Sequence, residues 1–334
     1  MLYQDHPGTP ALDIVDVSKV YTQWQRSGRW KDILKNLVRP EKREIHALDH
    51  VSFTVKQGEC TAYAGANGAG KSTTIKILSG ILQPTQGTVK VLGMDPANQR
   101  VELMRNIGVL FGQRTELWWD HPVITSFAWK KSVWNIPEPV YERNLELVTE
   151  LLDLKDILYT FARELSLGQR MRADLGMLLL HDPKVLFLDE PTLGLDVLAK
   201  RQMIAFLRKI NQEKGTTVVV TSHDMDDLEA MAQRIILLSK GQIAFDGDFD
   251  ALRRVQGGFS RLRISGPQAV PNLPGLTPVD SHGNIHEYEF SQEEMGMDKL
   301  LSLLAGTSGI TDMEIKKAPI EEVVAKLYLR WKSQ

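Results

Sequence analysis

The stretch Gly65-Ala66-Asn67-Gly68-Ala69-Gly70-Lys71-Ser72 decides the fold, because it fits the pattern G-x-x-x-x-G-K-[ST] between a strand-like and a helix-like segment. Residues 60–64 are small and apolar, whereas residues 72–82 carry apolar side chains at helical spacing. Glycines let backbone N–H groups surround phosphate oxygens, and the helix that follows presents the positive end of its dipole. The pattern therefore predicts a phosphate-binding loop, and the flanking segments disfavour an unrelated glycine-rich turn.

Two side chains of this loop have a chemistry of their own. We expect Lys71 to reach the β- and γ-phosphates of a nucleotide and Ser72 to give its hydroxyl to Mg²⁺. Mg²⁺ and a nucleotide that carries β- and γ-phosphates are therefore the predicted ligands. The loop positions expected to contact the nucleotide are Gly65, Asn67, Gly68, Gly70, Lys71, Ser72 and Thr73.

A second signal follows the continuously apolar run 185–188, which predicts a strand buried on both faces. Two carboxylates, Asp189 and Glu190, come directly after it. Asp189 would bind Mg²⁺, usually through water, and Glu190 would polarise the attacking water. The alternative is a strand end capped by solvated acids, which the upstream phosphate loop and the adjoining Pro191-Thr192 disfavour.

Alternating strand and helix patterns predict an α/β fold with a mostly parallel sheet that helices cover on both faces. The strand-like segments are 11–18, 47–59, 60–64, 185–188, 216–221, 234–239 and 242–245. The helix-like segments are 72–82, 138–160, 167–180, 197–213 and 225–233.

A change of composition to glycine, aspartate and arginine over residues 246–258 predicts a domain boundary. Beyond it, a small α+β domain is expected, with strands at 259–265, 285–290 and 311–316 and helices at 292–305 and 319–331. We therefore expect a nucleotide-binding domain over residues 1–248 and an accessory or regulatory domain over residues 255–334.

The composition is that of an ordinary globular chain of 334 residues, 43% hydrophobic and 25% charged. A formal net charge of −2 gives no global electrostatic argument for nucleic-acid binding. The single cysteine, Cys60, excludes an intrachain disulfide and a thiolate zinc cluster. Neither a bilayer-spanning apolar run nor a secretory signal is apparent, which predicts a cytoplasmic chain that meets a membrane only through a partner.

A third motif, Leu165-Ser166-Leu167-Gly168-Gln169, opens a predicted helix. With it, the order of motifs over residues 12–248 resembles an ABC ATPase. The sequence departs from that family at Leu167, where glycine is most common, but it keeps Ser166, Gly168 and Gln169, the positions that face the γ-phosphate. The resemblance implies an α/β P-loop NTPase of ABC ATPase type, with a mixed sheet core, a helical subdomain at about 114–180 and a small α+β C-terminal domain.

The resemblance also implies roles for four separate side chains. Tyr21 would stack on adenine, although a partly buried tyrosine at a strand end is the alternative. Gln113 would contact Mg²⁺ and the attacking water, unless it is an ordinary exposed glutamine. Asp196 would cross a dimer interface, a role compatible with capping a helix. His223, after a predicted strand, would sense the γ-phosphate, although a lone histidine is more often structural.

The chain has one nucleotide domain, a basic insertion between the first two strands and a small C-terminal domain. In these features it resembles the bacterial exporters related to viologen and antibiotic exporters, which pair a separate ATPase chain with a six-helix permease. Trp118 and Trp119 fall in the region 112–127 that faces the permease in the family, with a place in the helical core as an equal alternative. The basic insertion 24–46 carries one apolar helical stripe and is predicted to touch either lipid or protein.

The mechanism implied is cyclic closure of a head-to-tail dimer, with ATP between the phosphate loop of one copy and residues 166–169 of the other. The expected partners are a second copy and one or more permease subunits, at the cytoplasmic face of the bacterial inner membrane, and no nucleic acid. The alternative is a soluble ABC ATPase that acts on nucleic acid or the ribosome, although one nucleotide domain in the chain and the lack of coiled-coil or zinc insertions disfavour it.

Overall fold

A computed structural model of the chain describes residues 10–24, 42–112, 115–255, 258–266, 275–291, 295–305 and 309–332. The chain divides into two compact units, residues 1–246 and residues 247–334. Among the described residues, no helix combines the length and the apolar character that crossing a bilayer requires.

The first unit contains nine strands and seven α-helices in its described part. The strands are β1 (Leu12–Trp24), β2 (Lys42–Val55), β3 (Cys60–Gly65), β4 (Gln86–Val91), β5 (Ile107–Phe111), β6 (Val185–Asp189), β7 (Thr217–Thr221), β8 (Arg234–Ser239) and β9 (Gln242–Asp248, whose last two residues fall in the second unit). The helices are α1 (Lys71–Leu78), α2 (Arg100–Met104), α3 (Val123–Trp134), α4 (Glu138–Leu151), α5 (Leu167–Leu179), α6 (Val197–Lys214) and α7 (Met225–Met231).

A six-stranded sheet in the order β5-β6-β7-β3-β8-β9 forms the centre of this unit. The pairs β5–β6, β6–β7, β7–β3 and β3–β8 are all parallel. Strands β6 and β7 are almost wholly buried, with apolar side chains at Val185–Leu188 and Val218–Val220, as expected for strands covered on both faces. Because these strands are parallel, the loops that leave β3, β6 and β7 all lie at one edge of the sheet.

A second sheet, with the order β2-β1-β4, is antiparallel. Its strands β1 and β2 are longer than the predicted segments 11–18 and 47–59, and they pair as far as Trp24 with Lys42. The apolar residues of this sheet and of the central sheet form one buried cluster with helix α1. Strands β4 and β5 were not predicted. Strand β4 is largely exposed and therefore lacks the apolar run of a buried strand.

The helices α3, α4 and α5 lie between β5 and β6 in the chain. The predicted helix 138–160 was wrong at its end, since α4 stops at Leu151. Asp153 has a φ of +50°, which turns the chain out of the helix. Leu152 and Leu154 are nevertheless buried, so the apolar pattern continued past the point where the helix ends.

The second unit contains an antiparallel sheet in the order β11-β12-β10-β13. Its strands are β10 (Phe259–Ser265), β11 (Thr277–His282), β12 (Ile285–Ser291) and β13 (Asp312–Lys317), and its helices are α8 (Phe249–Arg254), α9 (Met297–Ala305) and α10 (Ile320–Lys332). Alternate residues of β10 and β12, such as Leu262 and Tyr288, are buried in a core that includes Leu300 and Leu304 of α9. This unit therefore has a hydrophobic core of its own.

The functional domain limits, 1–248 and 255–334, stay predictions, as does the helical subdomain at 114–180. Most of the basic insertion predicted at 24–46 lies outside the described residues. Its described ends, Trp24 and residues 42–46, belong to strands β1 and β2.

We expect a chain that ends at Asp248, the last residue of β9, to fold and to keep the nucleotide affinity of the full chain. The physical reason is that residues 1–246 form a compact unit with its own buried core. Cooperative thermal unfolding and equilibrium ATP binding of the two chains would check this. An insoluble fragment, or one that does not bind nucleotide, would show that the second unit completes the first.

Candidate functional site

Among the described residues, the carboxyl edge of the central sheet brings the phosphate loop together with Asp189, Glu190 and His223. The phosphate loop follows β3, Asp189 ends β6 and Glu190 follows it, and His223 comes two residues after β7. The order β6-β7-β3 makes these three strands neighbours. Ligands of α/β proteins bind at this edge, beyond the carboxyl ends of the strands.

The phosphate loop packs closely against Ala47 and Leu48 of strand β2. Gly70 has a φ of +113°, and a Cβ there would lie 2.5 Å from the Ala47 carbonyl oxygen and 2.7 Å from Leu48 Cδ2. Helix α1 begins at Lys71 without a side-chain cap and without an acidic residue in its first turn. In contrast, Ser166, Asp196 and Asp224 cap helices α5, α6 and α7. An uncapped first turn leaves the positive end of the α1 dipole for an anion, which fits a phosphate.

Lys71 lies inside the loop and is buried. Its Nζ donates to the carbonyl oxygens of Gly65 at 2.7 Å and of Ala66 at 3.3 Å. Burial lowers the pKa of Lys71, while the carboxylates of Glu190 and Asp189 act in the opposite direction. The cation is thus close to both carboxylates and to the concave side of the loop.

Asp189 connects the phosphate loop with β7. Its Oδ2 accepts a hydrogen bond from the Ser72 hydroxyl at 2.9 Å, and its Oδ1 accepts one from the Thr221 hydroxyl at 2.7 Å. Its carbonyl oxygen accepts from the N–H of Gly112, at the end of β5, at 3.0 Å. The sequence analysis missed Thr221, although its place at the end of a buried strand two residues before His223 could have indicated it.

Glu190 and His223 form a pair. Nε2 of His223 lies 2.6 Å from Oε1 of Glu190. Glu190 has a φ of +57°, and its N–H donates both to the carbonyl oxygen of Thr221 at 3.1 Å and to the Thr221 hydroxyl at 3.0 Å. A left-handed backbone at a non-glycine residue is uncommon, and here it directs the carboxylate toward His223.

The motif at 165–169 begins helix α5 with a capping box. The Ser166 hydroxyl accepts from the N–H of Gln169 at 3.2 Å, and Gln169 Oε1 accepts from the N–H of Ser166 at 2.9 Å. A Cβ on Gly168 would lie 3.5 Å from Ala199 Cβ. The start of α5 therefore lies beside the start of α6, and Leu167 is half-buried there.

Asp196 is the N-cap of α6, and its Oδ1 accepts from the N–H of Ala199 at 2.8 Å. The helix-cap interpretation is thus correct, and a role in a dimer stays a prediction. Apolar side chains next to Asp196 are exposed: Leu193 at 42%, Val197 at 69% and Leu198 at 67%. Such neighbouring apolar exposure is typical of an interaction surface.

The remaining predicted residues have no described bond to this set of side chains, or lie outside the described residues. Tyr21 is on β1, opposite Ile45, and its ring is exposed, with Lys19 Nζ 5.5 Å from the ring centroid. Gln113 lies outside the described residues. Trp118 and Trp119 are both partly exposed, and the guanidinium of Arg170 lies 4.7 Å from the Trp119 ring.

The chemistry of Ser72 and Asp189 fits a magnesium ion. Their hydroxyl and carboxylate oxygens are 2.9 Å apart at the end of the phosphate loop. Oxygen ligands of this kind are those that Mg²⁺ takes beside nucleotide phosphates. These two side chains are therefore the described residues that would hold the ion.

Comparisons with known proteins match this chain to one family. The family model described as ABC transporter matches residues 48–193. YhcH of Bacillus subtilis, an uncharacterized ABC transporter ATP-binding protein, is 33% identical over 213 residues, which are 64% of this chain and 67% of YhcH. YbhF of Escherichia coli, a probable multidrug ABC transporter ATP-binding protein, is 38% identical over 212 residues, which are 63% of this chain and 36% of YbhF. The chain thus matches about a third of the length of YbhF.

A solved structure has the same fold. The dimeric ATP-binding cassette MJ0796, in a post-hydrolysis state with ADP and Pi, matches 71% of this chain and 98% of its own, with a TM-score of 0.59 and 22% identity. The chain belongs to the ABC transporter family, among its ATP-binding proteins. The predicted fold class and the predicted enzyme class, an ATPase, are confirmed. The roles of single residues stay predictions.

We expect Gly70→Ala to destabilise the protein more than Gly68→Ala. Both glycines have positive φ, so each substitution costs about 1–2 kcal/mol of backbone strain. A Cβ on Gly68 would meet nothing within 4 Å, whereas one on Gly70 would overlap the Ala47 carbonyl, which adds about 1–3 kcal/mol. Urea unfolding of the two variants and wild type measures the difference. Equal loss of stability would show that the Ala47–Leu48 contact does not constrain the loop.

Proposed function

We propose that the chain is the ATP-binding and ATP-hydrolysing subunit of a bacterial ABC exporter, in which ATP-dependent closure of a dimer drives an integral-membrane permease. The observation that best supports hydrolysis is the hydrogen-bonded set at the carboxyl edge of the sheet: Ser72, Asp189, Glu190, Thr221 and His223. Lys71 places a cation beside it. This set joins a phosphate loop to a carboxylate that can accept a proton.

Each of these groups has a part in hydrolysis. The phosphate loop and Lys71 would bind the β- and γ-phosphates. Ser72 and Asp189 would hold Mg²⁺, which would supply positive charge beside the phosphate oxygens. Glu190 accepts the proton of the attacking water while the water oxygen bonds to the γ-phosphorus and the bond to ADP breaks. His223 orients the Glu190 carboxylate through the 2.6 Å contact and reports the γ-phosphate. By the family resemblance, Gln113 would contact the ion and the water, and Tyr21 would stack on adenine.

The dimer completes each site with residues from the other copy. Ser166, Gly168 and Gln169 of one copy would face the γ-phosphate bound by its partner. In support, the start of α5 lies beside the start of α6, where Asp196 is surrounded by the exposed side chains of Val197 and Leu198. Closure over ATP would bury this apolar surface, and conversion of ATP to ADP and phosphate would release it.

In the proposed function, the cycle of closure and opening drives transport through the permease. The partly exposed Trp118 and Trp119 lie in the region 112–127 and form a candidate contact for the permease. Similarity to YbhF, whose name describes it as a probable multidrug transporter protein, supports the exporter branch. The chain would then work at the cytoplasmic face of the membrane. We assign residues 255–334 to an accessory or regulatory domain.

We expect Lys71→Ala to abolish tight ATP binding, because it removes the cation that pairs with the β- and γ-phosphates. Lys76→Ala is the matched control, since Lys76 lies on the same helix and is exposed. Isothermal titration of both variants with ATP and Mg²⁺ measures the affinity. Wild-type affinity in Lys71→Ala would refute the phosphate-loop assignment.

We expect Glu190→Gln to bind ATP normally but to hydrolyse it about 10²–10⁴ times more slowly, because the amide cannot accept the proton. The variant should accumulate as an ATP-bound dimer, whereas Glu142→Gln, at an exposed position of α4, should behave as wild type. Phosphate release and size-exclusion chromatography with ATP and Mg²⁺ measure both properties. Turnover near the wild-type rate would mean that another group polarises the water.

A further inference from the structure

A buried carboxylate lies on helix α5, two turns after the motif at 166–169. Asp174 is only 6% exposed, and burial raises its pKa to about 7. Its neighbours Ala173, Leu175 and Gly176 are also buried. An acidic residue in such surroundings costs stability unless hydrogen bonds compensate for lost hydration.

The compensating bonds come from one short loop. Oδ1 of Asp174 accepts from the Thr115 hydroxyl at 2.9 Å and from the N–H of Glu116 at 3.0 Å. The Thr115 hydroxyl oxygen in turn accepts from the N–H of Leu117 at 3.1 Å. A leucine in place of Asp174 would leave the Glu116 N–H and the Thr115 hydroxyl without this acceptor. The carboxylate therefore specifies the conformation of residues 115–117.

The same loop is attached at its other end to the catalytic edge. The N–H of Gly112 donates to the carbonyl oxygen of Asp189 at 3.0 Å. Gly112 and Thr115 are three positions apart in the sequence. The loop thus connects Asp189, beside Ser72, with helix α5, which begins at the motif 166–169.

Helix α3 supports the loop from a second side. Lys130 is only 3% exposed, and its Nζ lies 3.3 Å from Oε2 of Glu116. The N–H of Trp118 donates to the Ser126 hydroxyl at 2.9 Å. The loop is therefore bonded to α3 and α5 together, and a shift of these helices relative to the sheet changes the position of the loop.

We propose that Asp174 is a positioning residue that couples the start of α5 to the catalytic edge through the loop that leaves β5. This inference rests on the proposed function, in which residues 166–169 act on the ATP of a partner copy and Asp189 acts on the copy's own ATP. Through Asp174, a movement of helix α5 would change the position of the loop that leaves β5. Its role is to transmit position, since the described bonds of its carboxylate go to the loop residues Thr115 and Glu116.

The test compares Asp174→Leu with Asp174→Asn in the full chain. Leucine removes the acceptor, whereas asparagine keeps an oxygen at Oδ1. We expect Asp174→Leu to lower kcat about ten- to a hundredfold, as misplaced supporting residues typically do, with the Kd for ATP within about twofold of wild type. Asp174→Asn should restore most of the rate. A residue that only stabilises the fold would give no such split between turnover and binding.

Thr115→Val keeps the test decisive if Asp174→Leu does not fold, because it removes one of the two donors and leaves the helix intact. We expect Thr115→Val to lower kcat several-fold. It should lower kcat by the same factor in the Asp174→Asn chain as in the wild-type chain. Wild-type kcat in Asp174→Leu would overturn the inference, and so would wild-type kcat in Thr115→Val where Asp174→Leu does not fold. A wild-type chain without turnover, or Glu190→Gln with full turnover, would instead overturn the proposed function.

Discussion

The Asp189 carboxylate, with the hydroxyls of Ser72 and Thr221 bonded to its two oxygens, is the interaction on which the arrangement of the site depends. It ties the first turn of α1 to the ends of β6 and β7, three elements that are far apart in the chain. Neutral hydroxyls can satisfy a carboxylate without neutralising it, so Asp189 stays an acceptor with spare capacity for a cation. Lys71, close by and partly desolvated, provides the positive charge that keeps two adjacent acids compatible with one loop.

Thr221 extends this control to the proposed base. The hydroxyl that donates to Asp189 also accepts from the N–H of Glu190, and the Thr221 carbonyl oxygen accepts from that same N–H. These bonds hold Glu190 in a left-handed conformation that costs about 1–3 kcal/mol when unsupported. The strain therefore serves a purpose, because it directs the Glu190 carboxylate to His223 while Asp189 is directed to Ser72. Two adjacent acidic residues are thus directed to different partners.

The sequence predicts the parts of the site that depend on local geometry. The phosphate loop, Asp189, Glu190 and the helix that opens at the motif 165–169 occur at fixed distances from their own strand or helix, so their spacing is visible in the chain. Features that depend on distant partners were missed. Thr221 matters because β7 lies beside β6, which no periodicity shows. The end of α4 depends on the backbone of Asp153, while the apolar pattern of Leu152 and Leu154 continues into the following turns.

The buried polar groups of the helical region show why hydrophobic patterning alone is insufficient there. Lys130 and His181 lie near the same Trp134 ring, the lysine Nζ at 4.5 Å and the imidazole stacked at 5.0 Å. Burial lowers the pKa of His181 to about 4, so at neutral pH the ring is uncharged and does not repel the lysine. Its Nε2 donates to the Ile107 carbonyl oxygen at 2.9 Å, at the start of β5. The first residue of β5 is thus bonded to His181, just after helix α5. The loop that follows β5 is bonded to Asp174 of the same helix. Apolar side chains of similar size would fill the space, but they would not fix where β5 and its loop lie relative to the helices, and directional bonds do.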